Sequence, residues 1–222
     1  MKHVFCLLIG FFLMSYSYAQ DSTAVHRDTT KAASGDDLLS GLTESTEKQE
    51  LLPSKMIFTQ RAFWGPKGLL RVMNVAPLTP EGREKELKVR RFMLKTHQVA
   101  GFVTLAGMVA QGLVGAKLYN AKGSDYSRIK ETHEMLATGI NVAYTTTAVL
   151  SLAAPPKMVS ERKGFSSIKL HKYLAVLHIA GMITTNVLSG MIADNYKLKP
   201  YHRAAAYTTF GAFAASVIAI KF

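Results

Sequence analysis

Four long apolar segments constrain what this chain can fold into; they cover residues 96–118, 133–154, 171–193 and 201–220. Each has about 20 residues or more, which is enough for a helix to cross the roughly 30 Å hydrocarbon core of a bilayer. The connections between them are short and polar, so neighbouring helices should run antiparallel. Helices also satisfy their own backbone hydrogen bonds in lipid. We therefore predict an all-α membrane protein, an antiparallel up-down four-helix transmembrane bundle.

The first 19 residues are typical of a secretory signal peptide. Lys2 precedes an apolar run from Val4 to Met14, and small residues precede a cleavage site after Ala19. The alternative is an uncleaved anchor, which the short apolar run disfavours. The only cysteine, Cys6, lies in this segment. The mature chain would therefore lack disulfides, cysteine-ligated iron–sulfur clusters and thioether-attached haem.

Two further segments precede the apolar part of the chain. Residues 20–52 are polar and predict a flexible tether, because they hold too few apolar side chains to form a core. Residues 53–79 form a basic and aromatic segment around the only tryptophan, Trp64. We expect this segment either to lie at the membrane interface or to cap the bundle. Thr79-Pro80-Glu81 is a helix-start signal, so residues 80–222 are predicted to be one four-helix transmembrane domain. The charged residues after this signal should extend the first membrane helix into water.

Each apolar segment carries a histidine near its N-terminal end: His97, His133, His171 and His202. Ionisable side chains in membrane helices are costly and tend to be functional. In an antiparallel bundle the first and third helices start on one side, so His97 and His171 share a level. His133 and His202 then share the other level. A pair of imidazoles can bind the two axial positions of a haem iron, whereas zinc would usually need a third or fourth protein ligand.

The residue four positions after each of these histidines lies one turn along the same helix face. Those residues are small, which would leave room for a porphyrin ring: Gly101, Ala137, Ala175 and Ala206. His178 is followed at the same spacing by Met182 and has no partner at its level. We therefore predict His171 as the ligand. His178 is interpreted as a buried polar residue that bonds a backbone carbonyl or a haem propionate.

The order and depth of the four histidines resemble the cytochrome b561 family of di-haem transmembrane electron carriers. The matching stretches are "HQVAGFVTLAGMVAQG", "KETHEMLATGINVAY", "LHKYLAVLHIAGMITTNVLSG" and "HRAAAYTTFGAFAAS". The resemblance covers about residues 90–222, although the family usually has an additional helix on each side of this core. The resemblance implies two non-covalently held b haems, one near each membrane face, and electron transfer across the membrane. A reductase activity of the cytochrome b561 type is one possible form of this electron transfer.

The resemblance also implies partners. These are a small-molecule reductant such as a quinol or an ascorbate-like compound, or a redox protein. Arg128 and Lys130, just before His133, are candidates for binding the reductant, but solvated anchoring residues are the preferred interpretation. Two other functions stay open: a haem-b anchor subunit of a larger quinol-linked oxidoreductase, and a haem-free membrane adaptor. A homodimer and a subunit of a membrane complex are both compatible with the sequence.

The net charge of +12 arises from 27 Lys and Arg against 15 Asp and Glu. The basic residues lie at the ends of the apolar segments, so we expect membrane lipid and not nucleic acid as a partner. The signal peptide predicts a multi-pass protein of the cytoplasmic (inner) membrane, with the mature N-terminus outside, in the periplasm. The distribution of Lys and Arg opposes this orientation, because more of them would lie outside than inside. The opposite orientation would exchange the two membrane sides but keep the histidine pairs.

Overall fold

A computed structural model describes residues 50–158 and 166–221 of the chain. The predicted signal peptide and most of the predicted tether lie outside the described residues. The elements, in chain order, are α1 (Phe58–Trp64), α2 (Leu69–Val72), α3 (Pro80–Asn120), α4 (Gly123–Leu152), α5 (Ser167–Met191), a 3-10 helix (Tyr196–Leu198) and α6 (Lys199–Lys221).

The last four α-helices, α3 to α6, are long and apolar enough to cross a membrane. Large apolar side chains such as Val103, Leu113 and Ile183 are exposed on their outer faces. Such side chains would be unfavourable in water but suit a lipid environment. The predicted fold is therefore confirmed: the protein is an all-α, multi-pass membrane protein with a four-helix bundle.

The bundle consists of two helical hairpins, α3 with α4 and α5 with α6. The first hairpin is antiparallel, since His97 of α3 contacts Thr147 of α4 while Gln111 contacts His133. Helices α3 and α6 approach each other most closely between the hairpins. A reciprocal pair of 3.0 Å amide hydrogen bonds between Asn141 and Asn186 also joins α4 to α5.

The ends of the helices match their sequence signals in part. Thr79 accepts a hydrogen bond from the backbone nitrogen of Gly82 and has Pro80 next to it, as predicted for the start of α3. Helix α4 begins at Gly123, which has a φ of 59°, and so begins ten residues before its apolar segment. Its first turns are polar, and the link between α3 and α4 is only Ala121 and Lys122.

Residues 50–79 cap the end of the first hairpin; we call them the cap. Thr59, Gln60 and Trp64 donate side-chain hydrogen bonds of 2.7, 3.2 and 2.8 Å to the backbone oxygens of residues 152, 154 and 153. The last carbonyls of a helix have no partner within it. The segment around Trp64 therefore caps α4, which is one of its two expected placements. Its exposed apolar side chains, such as Phe58 and Val72, leave the membrane-interface placement as a prediction.

The charged sequence at the start of α3 predicted that its first turns lie in water. In the structure these turns pack under the cap, and some of their charged side chains are buried. Arg83 and Glu86 are 1% and 3% exposed. Glu86 forms ion pairs with both Arg71 of the cap and Arg83. Arg83 also donates 2.8 Å hydrogen bonds to the backbone oxygens of Leu51 and Pro156. These partners are distant in the sequence, so the local charge pattern could not indicate that this end of α3 is buried.

Candidate functional site

The histidines predicted to share the first level lie together in the structure. The ring centroids of His97 and His171 are 6.2 Å apart, and the ring planes are nearly perpendicular at 89°. One ring comes from α3 and the other from α5, so each hairpin contributes one imidazole. The antiparallel argument from the sequence therefore places this pair correctly.

Three of the four histidines use the same nitrogen in the same way. The Nδ1 atoms of His97, His171 and His202 lie 2.7, 3.0 and 3.0 Å from the backbone oxygens of residues 147, 216 and 185. A carbonyl only accepts hydrogen bonds, so the contacts of His97 and His202 favour the tautomer with the proton on Nδ1 and the lone pair on Nε2. Nδ1 of His171 also lies 2.8 Å from the Ser216 hydroxyl, which can either donate or accept. Metal-ligating histidines are held in this tautomer by such a second partner. Among the residues that the structure describes, no hydrogen bond involves Nε2 of these three rings.

The separation of the first pair agrees with a shared iron atom. An imidazole–metal bond is about 2 Å long and each ring nitrogen is about 1 Å from its ring centre, so two axial ligands place their centroids roughly 6 Å apart. The observed value is 6.2 Å. Perpendicular planes are compatible with this arrangement, because each ring can rotate about its metal–nitrogen bond.

The second pair is less regular than the first. Within the described part of the chain, no hydrogen bond or close ring contact joins His133 to His202. The side-chain amide nitrogen of Gln111 lies 3.2 Å from Nε2 of His133 and donates a 3.0 Å hydrogen bond to the His133 backbone oxygen. Nδ1 of His133 is buried and has no hydrogen-bond partner among the described residues. An amide nitrogen only donates, so Nε2 of His133 accepts from Gln111 and the ring proton lies on Nδ1. If this ring held a haem, Nε2 would have to exchange the Gln111 contact for the iron.

The His133 ring packs directly against the backbone of α3. A Cβ atom built on Gly115 would lie 3.1 Å from Cε1 and 3.5 Å from Nδ1 of this ring. Real Cβ contacts are rarely this short, so a larger residue at position 115 would displace the imidazole. Glycine at this position therefore makes room for His133.

The four histidine contacts follow one rule that was not predicted. In each hairpin, a histidine contacts the residue that lies fourteen positions after the histidine of the other helix. The four residues at this spacing can all form hydrogen bonds through their side chains: Gln111, Thr147, Thr185 and Ser216. The constant spacing of fourteen residues was the sequence signal that could have revealed these partners.

The same rule makes the two hairpins structural repeats of each other. The tripeptide Ala-Gly-Met follows both His97 and His171 at the same spacing, and its glycines are Gly107 and Gly181. Both glycines face a neighbour in the second helix of their own hairpin. Gly107 faces Ile140 and Gly181 faces Thr209, and each of these neighbours lies seven positions after its histidine. The contacts therefore repeat at three levels along the hairpins.

The small residues predicted to leave room for a porphyrin point away from the exposed outer surface. Gly101 is buried, and Ala137, Ala175 and Ala206 are half-buried. A Cβ atom on Gly101 would meet only Thr147 Cγ2, at 3.9 Å. The space around Gly101 would therefore accept a Cβ atom without a steric clash. The role of these residues beside a haem stays a prediction.

His178 lies in the core of the bundle and differs from the other histidines. Its Nδ1 atom is 2.6 Å from the hydroxyl of Tyr144, and its ring is 5.0 Å from that of Phe213. The expected partner of His178 was a backbone carbonyl or a propionate, and the observed partner is a phenol. In the repeat, the counterpart of His178 is Thr104, so only one hairpin carries this imidazole.

The two basic residues considered for binding a reductant are engaged in ion pairs on the surface. Arg128 pairs with Asp125 at 2.9 Å, three residues away on α4. Lys130 pairs with Glu134 at 2.6 Å, four residues away on the same helix. The side chains are largely exposed. These contacts agree with the preferred interpretation, in which both residues are solvated anchors.

Within residues 50–158 and 166–221, no group of three or more His, Cys, Asp or Glu side chains is placed to hold a metal ion. Comparisons with protein-family models, with curated proteins and with solved structures found no match to this chain.

Proposed function

We propose that this protein carries electrons across a membrane through two b-type haems of the kind found in the cytochrome b561 family. His97 and His171 would hold one haem, and His133 and His202 the other. The observation that carries the proposal is the separation of the first pair, 6.2 Å between centroids, with Nδ1 of each ring 2.7 or 3.0 Å from a backbone oxygen.

Bound haem would supply one-electron oxidation and reduction at its iron. The chain's own residues hold the ligands and exclude water. The backbone oxygens of residues 147, 185 and 216 fix the orientation of three imidazoles and raise their basicity as ligands. The apolar outer faces of the helices keep the site in lipid, where water cannot compete for the iron.

The two levels are separated by fourteen residues along α4, α5 and α6, which is about 21 Å at the helical rise of 1.5 Å per residue. Both levels therefore fit within the roughly 30 Å apolar core of one bilayer, one toward each face. The buried rings of Tyr144, His178 and Phe213 contact one another. On its own helix, each of these residues lies between the positions of the two histidine levels. Packed aromatic residues of this kind exclude water from the route between the levels.

A visible spectrum of the purified protein tests the proposal. We expect a b-type haem spectrum and about two haems per chain in a pyridine haemochrome assay, because each bis-histidine site holds one. His97→Ala should remove one haem and leave the other, and His202→Ala should do the same at the other level. His178→Gln is the matched control and should keep both haems. Loss of haem in His178→Gln but not in His171→Ala would refute the choice of ligands.

A haem-free adaptor is the alternative that a specific observation favours. Each of the four histidines already contacts a residue of the neighbouring helix, so the rings could serve only to join the helices. A colourless protein from haem-replete cells, with its helical content intact, would support the adaptor and exclude the electron carrier.

We further propose that the cap lies outside the cytoplasmic membrane, in the periplasm. Because the mature chain would have no cysteine, single cysteines can report the orientation. A membrane-impermeant maleimide added to intact cells should label Lys55→Cys in the cap and spare Lys122→Cys in the link between α3 and α4, where both residues are exposed. The reverse labelling pattern would establish the opposite orientation.

A further inference from the structure

A cavity of about 290 Å³ opens between the end of α3 and the start of α6. It is lined by two aromatic and two basic side chains together with a proline: Tyr119, Tyr196, Lys197, Lys199 and Pro200. We call it the tyrosine–lysine pocket. It lies at the end of the membrane spans nearer to His133 and His202, because Lys199 is three residues before His202.

Positive charge is concentrated around this pocket. The Lys199 ammonium is 4.6 Å from the ring of Tyr119 and 5.0 Å from that of Tyr196, and the Arg203 guanidinium is 4.5 Å from the Tyr119 ring. Tyr119 thus contacts two cations. Lys199 also donates hydrogen bonds to the Tyr119 backbone oxygen at 3.1 Å and to the Tyr196 hydroxyl at 2.8 Å. These contacts fix the ammonium group at the wall of the pocket.

Among the residues that the structure describes, Lys197, Lys199 and Arg203 form no ion pair. The nearest acid in the sequence, Asp194, is exposed and does not pair with them. The other hairpin provides a direct comparison, because Lys130 precedes His133 as Lys199 precedes His202. The residue after His133 is Glu134, which pairs with Lys130, whereas the residue after His202 is Arg203. In the first hairpin the positive charge of Lys130 is therefore neutralised by Glu134. At the equivalent place in the second hairpin, Lys199 and Arg203 are both positive.

We propose that the tyrosine–lysine pocket binds the phosphate headgroup of an acidic phospholipid. Lys199 and Arg203 both contact the Tyr119 ring and form no ion pair, and two cations held this close attract an anion. Tyrosines are favoured at the level of the lipid headgroups, and basic pockets beside membrane helices bind anionic headgroups. The pocket combines these features at the end of two spans, where a lipid phosphate lies. This proposal concerns lipid and is independent of whether the histidines hold haem.

Lipid titration of the full-length protein in detergent tests the proposal, with native mass spectrometry to count retained lipids. Phosphatidylglycerol should bind more tightly than phosphatidylcholine, and the preference should weaken in high salt. Lys197→Gln should weaken phosphatidylglycerol binding about five-fold, the usual effect of one basic residue at a lipid surface. Lys197 is exposed, so this variant should fold normally. K199Q/R203Q should weaken binding further, and the charge-conserving K199R/R203K should restore it.

Lys130→Gln is the matched control, because it removes one positive charge at the same end of the bundle. It should leave phosphatidylglycerol binding unchanged. Equal loss of binding in Lys130→Gln and Lys197→Gln would overturn the proposal, since net charge alone would then explain it. Displacement of phosphatidylglycerol by millimolar inorganic phosphate would also overturn it, because the site would then serve a soluble anion.

Discussion

Substitution of Gly181 by alanine tests the close contact between α5 and α6. A Cβ atom at this position would overlap Oγ1 of Thr209 and would lie 3.3 Å from its Cβ and 3.5 Å from its Cα. The hydroxyl cannot move freely, because it donates a 2.7 Å hydrogen bond to the backbone oxygen of Ala205. Gly181→Ala must therefore rotate the Thr209 side chain, separate the helices, or both.

The expected cost follows from these two effects. Adding a methyl group to a packed interface typically costs 1–3 kcal/mol, so we take about 2 kcal/mol for the steric part. Loss of the Thr209 hydrogen bond adds about 1 kcal/mol. Alanine also favours the helix by about 1 kcal/mol relative to glycine. We therefore expect Gly181→Ala to lower the free energy of unfolding by about 2 kcal/mol.

Gly190→Ala on the same helix is the control, because a Cβ atom there meets nothing within 4 Å. It gains the same helix propensity, so the difference between the two variants, about 3 kcal/mol, isolates the contact. The assay is reversible unfolding by sodium dodecyl sulfate in mild detergent, followed by far-UV circular dichroism. Thr209→Ala in the Gly181→Ala background should recover part of the loss. Equal stability of Gly181→Ala and Gly190→Ala would refute the close packing of the second hairpin.

Three further predictions concern the cap and the second histidine pair. Glu86→Gln should lower the free energy of unfolding by about 3–5 kcal/mol in the same assay, because it leaves two buried arginines without an acid. Glu84→Gln, which removes an exposed ion pair, should leave the free energy of unfolding unchanged. Equal losses of stability in the two variants would contradict a buried cluster. Under the proposed function, Gly115→Ala should lower the haem content at the second level by displacing the His133 ring. Gly112→Ala should not, because a Cβ atom there meets nothing within 4 Å; pyridine haemochrome assays measure both. Trp64, the only tryptophan, should be quenched most by lipids brominated near the headgroup if the cap lies at the interface, and quenching by aqueous iodide alone would place the cap in water.

The sequence predicted the parts of the fold that depend on local pattern. The spans follow from the length of the apolar segments, and the start of α3 follows from Thr79 and Pro80. The early start of α4 was missed because residues 123–132 are polar, and an apolar signal reveals only the part of a helix that lies in lipid. The buried state of Arg83 depends on Leu51 and Pro156, and no local signal indicates contacts at such distances.

One pair of the candidate site was predictable from the sequence, and the pairing of His133 with His202 stays a prediction. Equal depth and antiparallel order place His97 beside His171, as the structure has them. Their hydrogen-bond partners require the register of each hairpin, which depends on where its helices begin and how long its link is. A backbone oxygen also has no side-chain signature, so Thr147 and Thr185 could be recognised only through their constant spacing from the histidines. Side chains take part at two of the four places: Gln111 contacts His133 through its amide, and Ser216 contacts His171 through its hydroxyl as well as its backbone oxygen.

The cap precedes α4 in the chain but binds its end, with hydrogen bonds that join residues 93, 94 and 89 positions apart. A ribosome adds 5–20 residues per second, so Trp64 and its neighbours would emerge on the order of ten seconds before the carbonyls that they bind. During that interval the cap has no docking surface, and Arg83 lacks the oxygen of Pro156. Completion of the cap therefore has to follow insertion of the second span, and nascent chains stalled before residue 152 should leave this segment accessible to protease.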